Sequence, residues 1–477
     1  TLFKMNDSHD SLLVIQNNSP FSFGSKGGQI VSTTVDTVNY IYGLSNYEGA
    51  VSVYLSTDEG ISWTKQSELP TNPWGVGIFV SADDPKYLLY GDIECYRSID
   101  GGQSFNKING WAEYYGNVGY KLHADMMWFE DFTDEETGEY NLLISNHGGL
   151  SKLNDLSGNI DAENISLEGL NVSQYYSVRT DPISEDFIYA GSQDQGFQRG
   201  PDIEGENLDF EQAISGDYGH IVFSRGNRLW TVYPGGWVTF RPNPQDQGIA
   251  MSYELNSYNE SVWIPPLVAI PNNPFTDEIY MAGGNINGGG GSHLIKLTAT
   301  NFIATEQLDY DFRANSGTGL VSAIALAGDA NEHIYVATDN GRFFYSHDGG
   351  ESFEKSGSVN GGHYLYGQVI IPSKFDDQII YTGGTGYNGV PVMRSLDGGL
   401  NFEVFGDGLP NTTVLGMVIN QEETLMFAAT TSGPFVCILG EEKWYPMMGE
   451  AAPDVTYWSV ELIKDDQTVR FGTYGRG

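Results

Sequence analysis

Five short segments carry side chains suited to acid, base, metal or sugar chemistry: His123-Ala124-Asp125, Asn146-His147-Gly148-Gly149, Gln193-Asp194-Gln195-Gly196, Ser215-Gly216-Asp217-Tyr218-Gly219-His220 and Tyr233-Pro234-Gly235-Gly236-Trp237. An inverting glycosidase needs two carboxyl groups roughly 6.5–9.5 Å apart, one acting as acid and one as base. Asp125, Asp194 and Asp217 are the candidates for that pair, with Trp128 and Trp237 as rings on which sugars stack. His147, Gln193 and Tyr218 complete the candidate ligand-binding set. A second chemistry is a divalent metal held by His123, Asp125 and His220, although no His-Glu-x-x-His or cysteine-pair spacing accompanies them. A third assignment is structural, with these polar groups bonding loop backbones. All three stay open at this level, and the metal ligands are unassigned.

The elements that must position these segments announce themselves through a phrase written four times, Ser-x-Asp-x-Gly-x-x-aromatic. It runs Ser56 to Trp63, Ser98 to Phe105, Ser346 to Phe353 and Ser395 to Phe402. An aspartate that can accept backbone N–H bonds, followed by a glycine free to take positive φ, describes a tight turn between two strands. A second marker is a strand in which an aromatic or aliphatic residue is followed by small ones: Ile41-Tyr42-Gly43, Leu89-Tyr90-Gly91, Leu143-Ile144-Ser145, Ile188 to Gly191, Leu229-Trp230-Thr231, Ile279 to Gly283, Ile334 to Ala337, Ile380 to Gly383, Met426-Phe427-Ala428 and Arg470-Phe471-Gly472. Ten markers at spacings of roughly 40–55 residues match the length of a four-stranded propeller blade. Apolar residues at helical spacing are absent, so a helical solenoid is excluded.

The expected fold is therefore all-β, a single β-propeller of about ten four-stranded blades (range 8–10) with almost no helix, spanning 1–477. The tenth unit, 456–477, offers only two strands, and residues 1–20 are expected to supply the others, so that strands from both termini close the ring. A seven-bladed ring with an extra partial domain is the alternative. In either ring the turns between third and fourth strands lie on one face. The site segments fall before first strands or after second strands, on the opposite face.

Composition narrows the function classes. With 62 acidic and 23 basic residues the net charge is −39, which opposes binding to nucleic acid or to anionic membranes. No stretch is apolar enough to span a bilayer. No cofactor is called for, and calcium is the one ion the carboxylates invite, for example along Asp131 to Glu139. Cys95 and Cys437 are expected as separate buried thiols. Thr1 is not an initiator, so the chain is expected to be a processed or excised part of a larger secreted multidomain protein.

The repeated turn resembles that of the Asp-box (BNR-repeat) β-propellers, and the ten-unit count resembles their sortilin-like branch more than the six-bladed sialidases. Gln193 to Gly196, Gly408-Leu409-Pro410-Asn411 and Gly472 to Gly477 are similar to phrases of secreted bacterial members. The resemblance implies structural, not catalytic, roles for Asp58, Asp100, Asp348 and Asp397. It also implies export, in some relatives by type IX secretion. Such propellers include hydrolases, receptors and lectins, so fold transfers better than activity. The sialidase arginine triad has no counterpart motif, although Arg179, Arg199, Arg225 and Arg228 cluster in units four and five, where an anion could bind. The functional expectation is an extracellular, secreted or cell-surface module that binds a polysaccharide or protein ligand on the face opposite the Asp-boxes, without catalysis. The alternative is a glycoside hydrolase using carboxylates of units three to five.

Overall fold

A computed structural model describes residues 3–5, 8, 11–14, 29–47, 50–72, 77–158, 160–166, 170, 172–201, 210–246, 250–255, 260–271, 275–357, 369–384, 391–449, 452–463 and 468–476. Asn272-Asn273-Pro274 and the terminal residues Thr1 and Gly477 lie outside them. The chain is all-β, with nine four-stranded antiparallel sheets and two two-stranded ones among the described residues. Each four-stranded sheet is a simple meander in which sequence neighbours pair. Among the described residues, helix is limited to Phe312–Ser316, the 3-10 segments Trp111–Gly116 and Leu439–Glu441, and a 3-10 residue at Glu260.

Two compact units make up the chain, Thr1–Leu170 and Asn171–Gly477. The first holds three four-stranded sheets, which begin with the strands Ile30–Val35, Gly77–Val80 and Met126–Thr133. It also holds a two-stranded sheet of Phe3–Met5 with Leu12–Val14. These last are the described strands of the segment expected to complete the tenth unit, and they pair with each other.

The second unit holds six four-stranded sheets, beginning with Tyr175–Thr180, Ile221–Phe223, Leu267–Ala269, Val321–Ala327, Ile370–Pro372 and Val414–Ile419. The pair Thr456–Ile463 and Thr468–Tyr474 follows. First strands pack consecutively, and Thr456–Ile463 packs against both Val414–Ile419 and Tyr175–Thr180, which closes a cycle of seven sheets. Side chains fasten this seam. Val178 N–H donates to Ser459 Oγ at 3.1 Å, Thr180 N–H donates to the Glu461 carboxylate at 2.9 Å, and the Thr180 hydroxyl donates to the same carboxylate at 2.6 Å.

All ten marker segments fall in the second strand of their sheets. A second strand is covered on both faces, and Leu88–Gly91 is buried at every position. The small residues at its end have a packing cause. A Cβ added at Gly91 would come within 2.3 Å of Met126, and one at Gly191 within 2.6 Å of the Tyr218 and Gly219 carbonyl oxygens, both in the segment leading into the next sheet. Close approach of the next sheet therefore selects glycine there.

The four Ser-x-Asp-x-Gly turns share one hydrogen-bond pattern. In the first, Ser56 Oγ–H donates to Asp58 Oδ1 at 2.8 Å, Ser62 N–H to the same oxygen at 2.9 Å, and Gly60 N–H to Ser56 Oγ at 2.9 Å, with Gly60 at φ +85°. Asp100, Asp348 and Asp397 repeat it, with Asn401 in the place of the accepting turn's last serine in the fourth. Bonds from the Ser62 hydroxyl and N–H lower the Asp58 pKa to about 2, and Asp348 is held below the usual carboxylate range in the same way. At Asp100 and Asp397 partial burial pushes upward, and the hydrogen bonds outweigh it. A carboxylate with a depressed folded pKa adds stability above its unfolded pKa of about 3.9 that is lost as pH falls through the folded value. Stability is thus expected to decline between about pH 4 and 2. Asp58→Asn and Asp348→Asn together should flatten that decline in urea titrations at each pH, and an unchanged slope would remove these turns from the acid sensitivity.

Cys95 and Cys437 sit in third strands as free, buried thiols. Burial pushes the Cys437 pKa up to about 12 and that of Cys95 upward as well, so neither is a nucleophile at neutral pH.

Candidate functional site

In the unit Thr1–Leu170, the candidate residues gather where the chain enters Met126–Thr133 and where it turns after Tyr140–Asn146. Asp125 has φ +66°, a left-handed conformation that aspartate tolerates better than most residues. Its N–H donates to Ile93 O at 2.9 Å, and its Oδ2 lies 3.1 Å from His147 Nδ1. The His147 N–H donates to Ala124 O, and Gly148 N–H to Asn146 Oδ1, so the two segments brace each other. His123 is buried, edge-on to Tyr114 at 4.7 Å, with its Nδ1 3.2 Å from Ala124 O. A Cβ at Gly148 would come within 2.4 Å of the His123 Cβ, which explains the glycine after His147. Trp128 is 60 % exposed and donates through Nε1 to Glu130. In the acidic run that follows, Asp131 accepts from Ala82 N–H, Ser81 and Tyr140, and Asp134 from the N–H groups of Glu136 and Thr137. A calcium ion there would compete with those donors.

In the unit Asn171–Gly477, Asp194 also lies in the left-handed region, at φ +59°. Its N–H donates to Asp217 Oδ1 at 2.9 Å, so the two candidate aspartates meet, with Asp217 serving as acceptor for the loop. Gln193 Oε1 receives the Tyr176 hydroxyl at 3.1 Å and the Tyr474 hydroxyl as well. Tyr218 is buried, edge-on to Tyr233 and Trp237, and its hydroxyl has no hydrogen-bond partner among the described residues. Trp237 lines an open cavity of about 530 Å³ with Tyr233, Pro234, Gly235 and Glu254.

His220 is buried at the inner wall of the ring, beside Arg179. Burial, reinforced by the Arg179 charge, pushes its pKa down to about 3. The unfolded histidine titrates near 6.5, so between about pH 6.5 and 3 the unfolded state binds more protons and acid destabilises the fold, by at most about 1.4 kcal/mol per pH unit. His220→Gln is expected to reduce that slope in pH-dependent urea unfolding. An identical slope in the variant would exclude His220 as its source.

Sequence reasoning missed the larger feature of this rim. Tyr176, Trp263, Trp458 and Tyr474 form one aromatic cluster, with Tyr176 centred 5.6 Å from Trp263, 5.1 Å from Trp458 and 5.8 Å from Tyr474. Bulges between Tyr175 and Ser177, and between Tyr457 and Ser459, set Tyr176 and Trp458 out of their ladders. Gly235 N–H donates to Trp263 O, which ties the cluster to the Tyr233–Trp237 loop. Trp263 remains 44 % exposed. The arginines expected to offer an anion site are engaged. Arg199 contacts Glu211 at 3.1 Å, Arg225 and Arg228 both contact Asp277, and Arg179 lies 4.0 Å from Glu461.

No protein-family model matches the chain, and no curated protein matches it. Among solved structures it is similar to the Cps50 (Swd1) β-propeller domain of Myceliophteria thermophila, at 13% identity and TM-score 0.44, over 60% of this chain and 89% of that one. It is also similar to two structures of the extracellular domain of BT4673 from B. thetaiotaomicron, described as a hybrid two component system in one and a one component system in the other. Both are at 14% identity, with TM-scores of 0.45 and 0.44, over 96% and 99% of this chain. The chain spans 59% and 60% of those two domains. Among the described residues no helix is long and apolar enough to cross a membrane.

Proposed function

We propose that this chain is an extracellular binding module, secreted or at the cell surface, that takes a polysaccharide on the rim of residues 171–477 opposite its Ser-x-Asp-x-Gly turns. The observation that supports this reading is a pair of aromatic groups, Trp263, Tyr176, Trp458 and Tyr474 in one and Tyr233 with Trp237 in the other, tied by the Gly235 N–H bond to Trp263 O and bordered by Gln193, Asp194 and Asp217. Flat rings cover the apolar faces of a sugar while amide and carboxylate oxygens accept its hydroxyls. A net charge of −39 disfavours polyanionic glycans and leaves neutral ones as the expected class. Asp217 is occupied in holding the Asp194 N–H, which favours binding over turnover by this pair.

The test is retention on a panel of neutral polysaccharides by affinity electrophoresis, with reducing ends assayed in parallel. Retention without released reducing sugar is the expected result. Release that disappears in Asp194→Asn would favour the hydrolase instead, and no retention on any glycan would favour a protein ligand.

A further inference from the structure

We propose that His333 and His347 together bind a divalent transition-metal ion, with zinc as the expected occupant, at the turn Ser346 to Phe353. Their Nδ1 atoms face each other at 2.5 Å, with ring centroids 4.7 Å apart and ring planes at 79°. At that separation only one of the two nitrogens can carry a hydrogen, and the other presents its lone pair. A metal ion takes the place of that hydrogen, which moves to Nε2 of its own ring.

The backbone fixes this pair. His333 opens the second strand His333–Thr338, and His347 follows the third strand Phe343–Ser346, whose ladder ends with Ile334 opposite Ser346. The histidines stand opposite each other one step further, on one face of the sheet. Gly349 N–H donates to Glu332 O at 2.9 Å, as Gly101 N–H does to Lys86 O and Gly398 N–H to Gln378 O, so the turn is pinned next to the pair. The same register in the other Ser-x-Asp-x-Gly sheets sets Tyr40 against Thr57, Tyr87 against Ile99 and Ile379 against Leu396. The turn itself therefore requires no histidine at either position.

Two imidazole nitrogens aimed at one point select zinc, nickel or copper over calcium and magnesium, which take oxygen ligands. Zinc–nitrogen bonds of about 2.0–2.1 Å at the tetrahedral angle hold two nitrogens about 3.3 Å apart, so the rings need to part by under about 1 Å. Glu332 Oε1, 3.8 Å from His333 Nε2, draws the ring proton to that nitrogen and leaves Nδ1 to the metal. His347 is exposed, which gives the ion access from solvent. Among the described residues no third His, Cys, Asp or Glu joins the two in a ligand group, so water completes the coordination and the ion exchanges. The aromatic rim does not enter the argument, so the site stands whether or not the module binds glycans.

Calorimetric titration of the chain with zinc chloride, repeated with nickel, calcium and magnesium chloride, tests the site. One saturable equivalent is expected for zinc and nickel, undisturbed by calcium or magnesium, and zinc at a hundredfold excess over Kd should raise the thermal midpoint by about 5 °C. His333→Tyr and His347→Ile install the residues that the sheet of Tyr87 and Ile99 carries in this register, and each should abolish that equivalent. Should these variants fail to fold, zinc-edge X-ray absorption of the loaded parent is expected to show nitrogen neighbours at about 2.0 Å with the outer scattering of two imidazoles. Absence of a zinc equivalent, one that survives both substitutions, or an absorption spectrum without two imidazoles would overturn the site and leave the pair sharing a proton.

Discussion

Glu461→Ala is expected to lower the thermal midpoint of the 171–477 unit by on the order of 10 °C. The Glu461 carboxylate is buried at the seam where the strand Thr456–Ile463 meets Tyr175–Thr180, and it accepts from both the N–H and the hydroxyl of Thr180. Arg179 and Arg470 flank it at 4.0 and 3.7 Å. Removing it leaves a buried N–H without its acceptor and a largely buried guanidinium without its counter-charge. Breaking one partner of such a network costs about 3–5 kcal/mol, a large fraction of the 5–15 kcal/mol that typically stabilises a domain. At about 2–4 °C per kcal/mol for a unit of this size, the shift is of the order given. Glu461→Gln keeps an acceptor for Thr180 and should cost distinctly less. Circular dichroism melts of both variants, with the exposed Glu422→Ala as control, decide the matter, and a midpoint unmoved by Glu461→Ala would mean that this seam does not hold the ring closed.

The second large effect concerns the aromatic rim. Trp263→Ala is expected to weaken polysaccharide binding about 30-fold, because a central, partly exposed aromatic anchor typically contributes about 2 kcal/mol or more, and 1.4 kcal/mol is tenfold. The cluster loses only its outermost ring, since Tyr176, Trp458 and Tyr474 still pack on one another. The fold should therefore melt nearly as before. Phe302→Ala removes a still more exposed ring from a connection between third and fourth strands, on the opposite rim, and should leave affinity unchanged. Calorimetric titration of the best-retained glycan measures both. Equal losses in the two variants would show that retention is nonspecific.

What could be read along the chain was whatever a window of fewer than about ten residues encodes. The ten marker strands and the four aspartate turns are local. A glycine at positive φ, a carboxylate capping N–H groups two to four residues away and a small residue under a neighbouring sheet each leave a signature in place. The pairing of His147 with Asp125, and of the Asp194 loop with Asp217, was legible only as far as placing these residues together on the rim opposite the Ser-x-Asp-x-Gly turns of a single ring. Their burial was not, because Tyr218 and His220 are polar residues in a glycine-rich segment that reads as a loop yet runs into the inner wall. The closure of seven sheets in 171–477 and the aromatic cluster were decided by tertiary structure alone. Tyr176, Trp263, Trp458 and Tyr474 come from four separate stretches that share no common local pattern, and Glu461 meets Thr180 across 281 residues. Short-range hydrogen bonds fix a turn wherever it is written, whereas which strands meet at the seam depends on how many twisted sheets fit around the axis, a property that no single repeat contains.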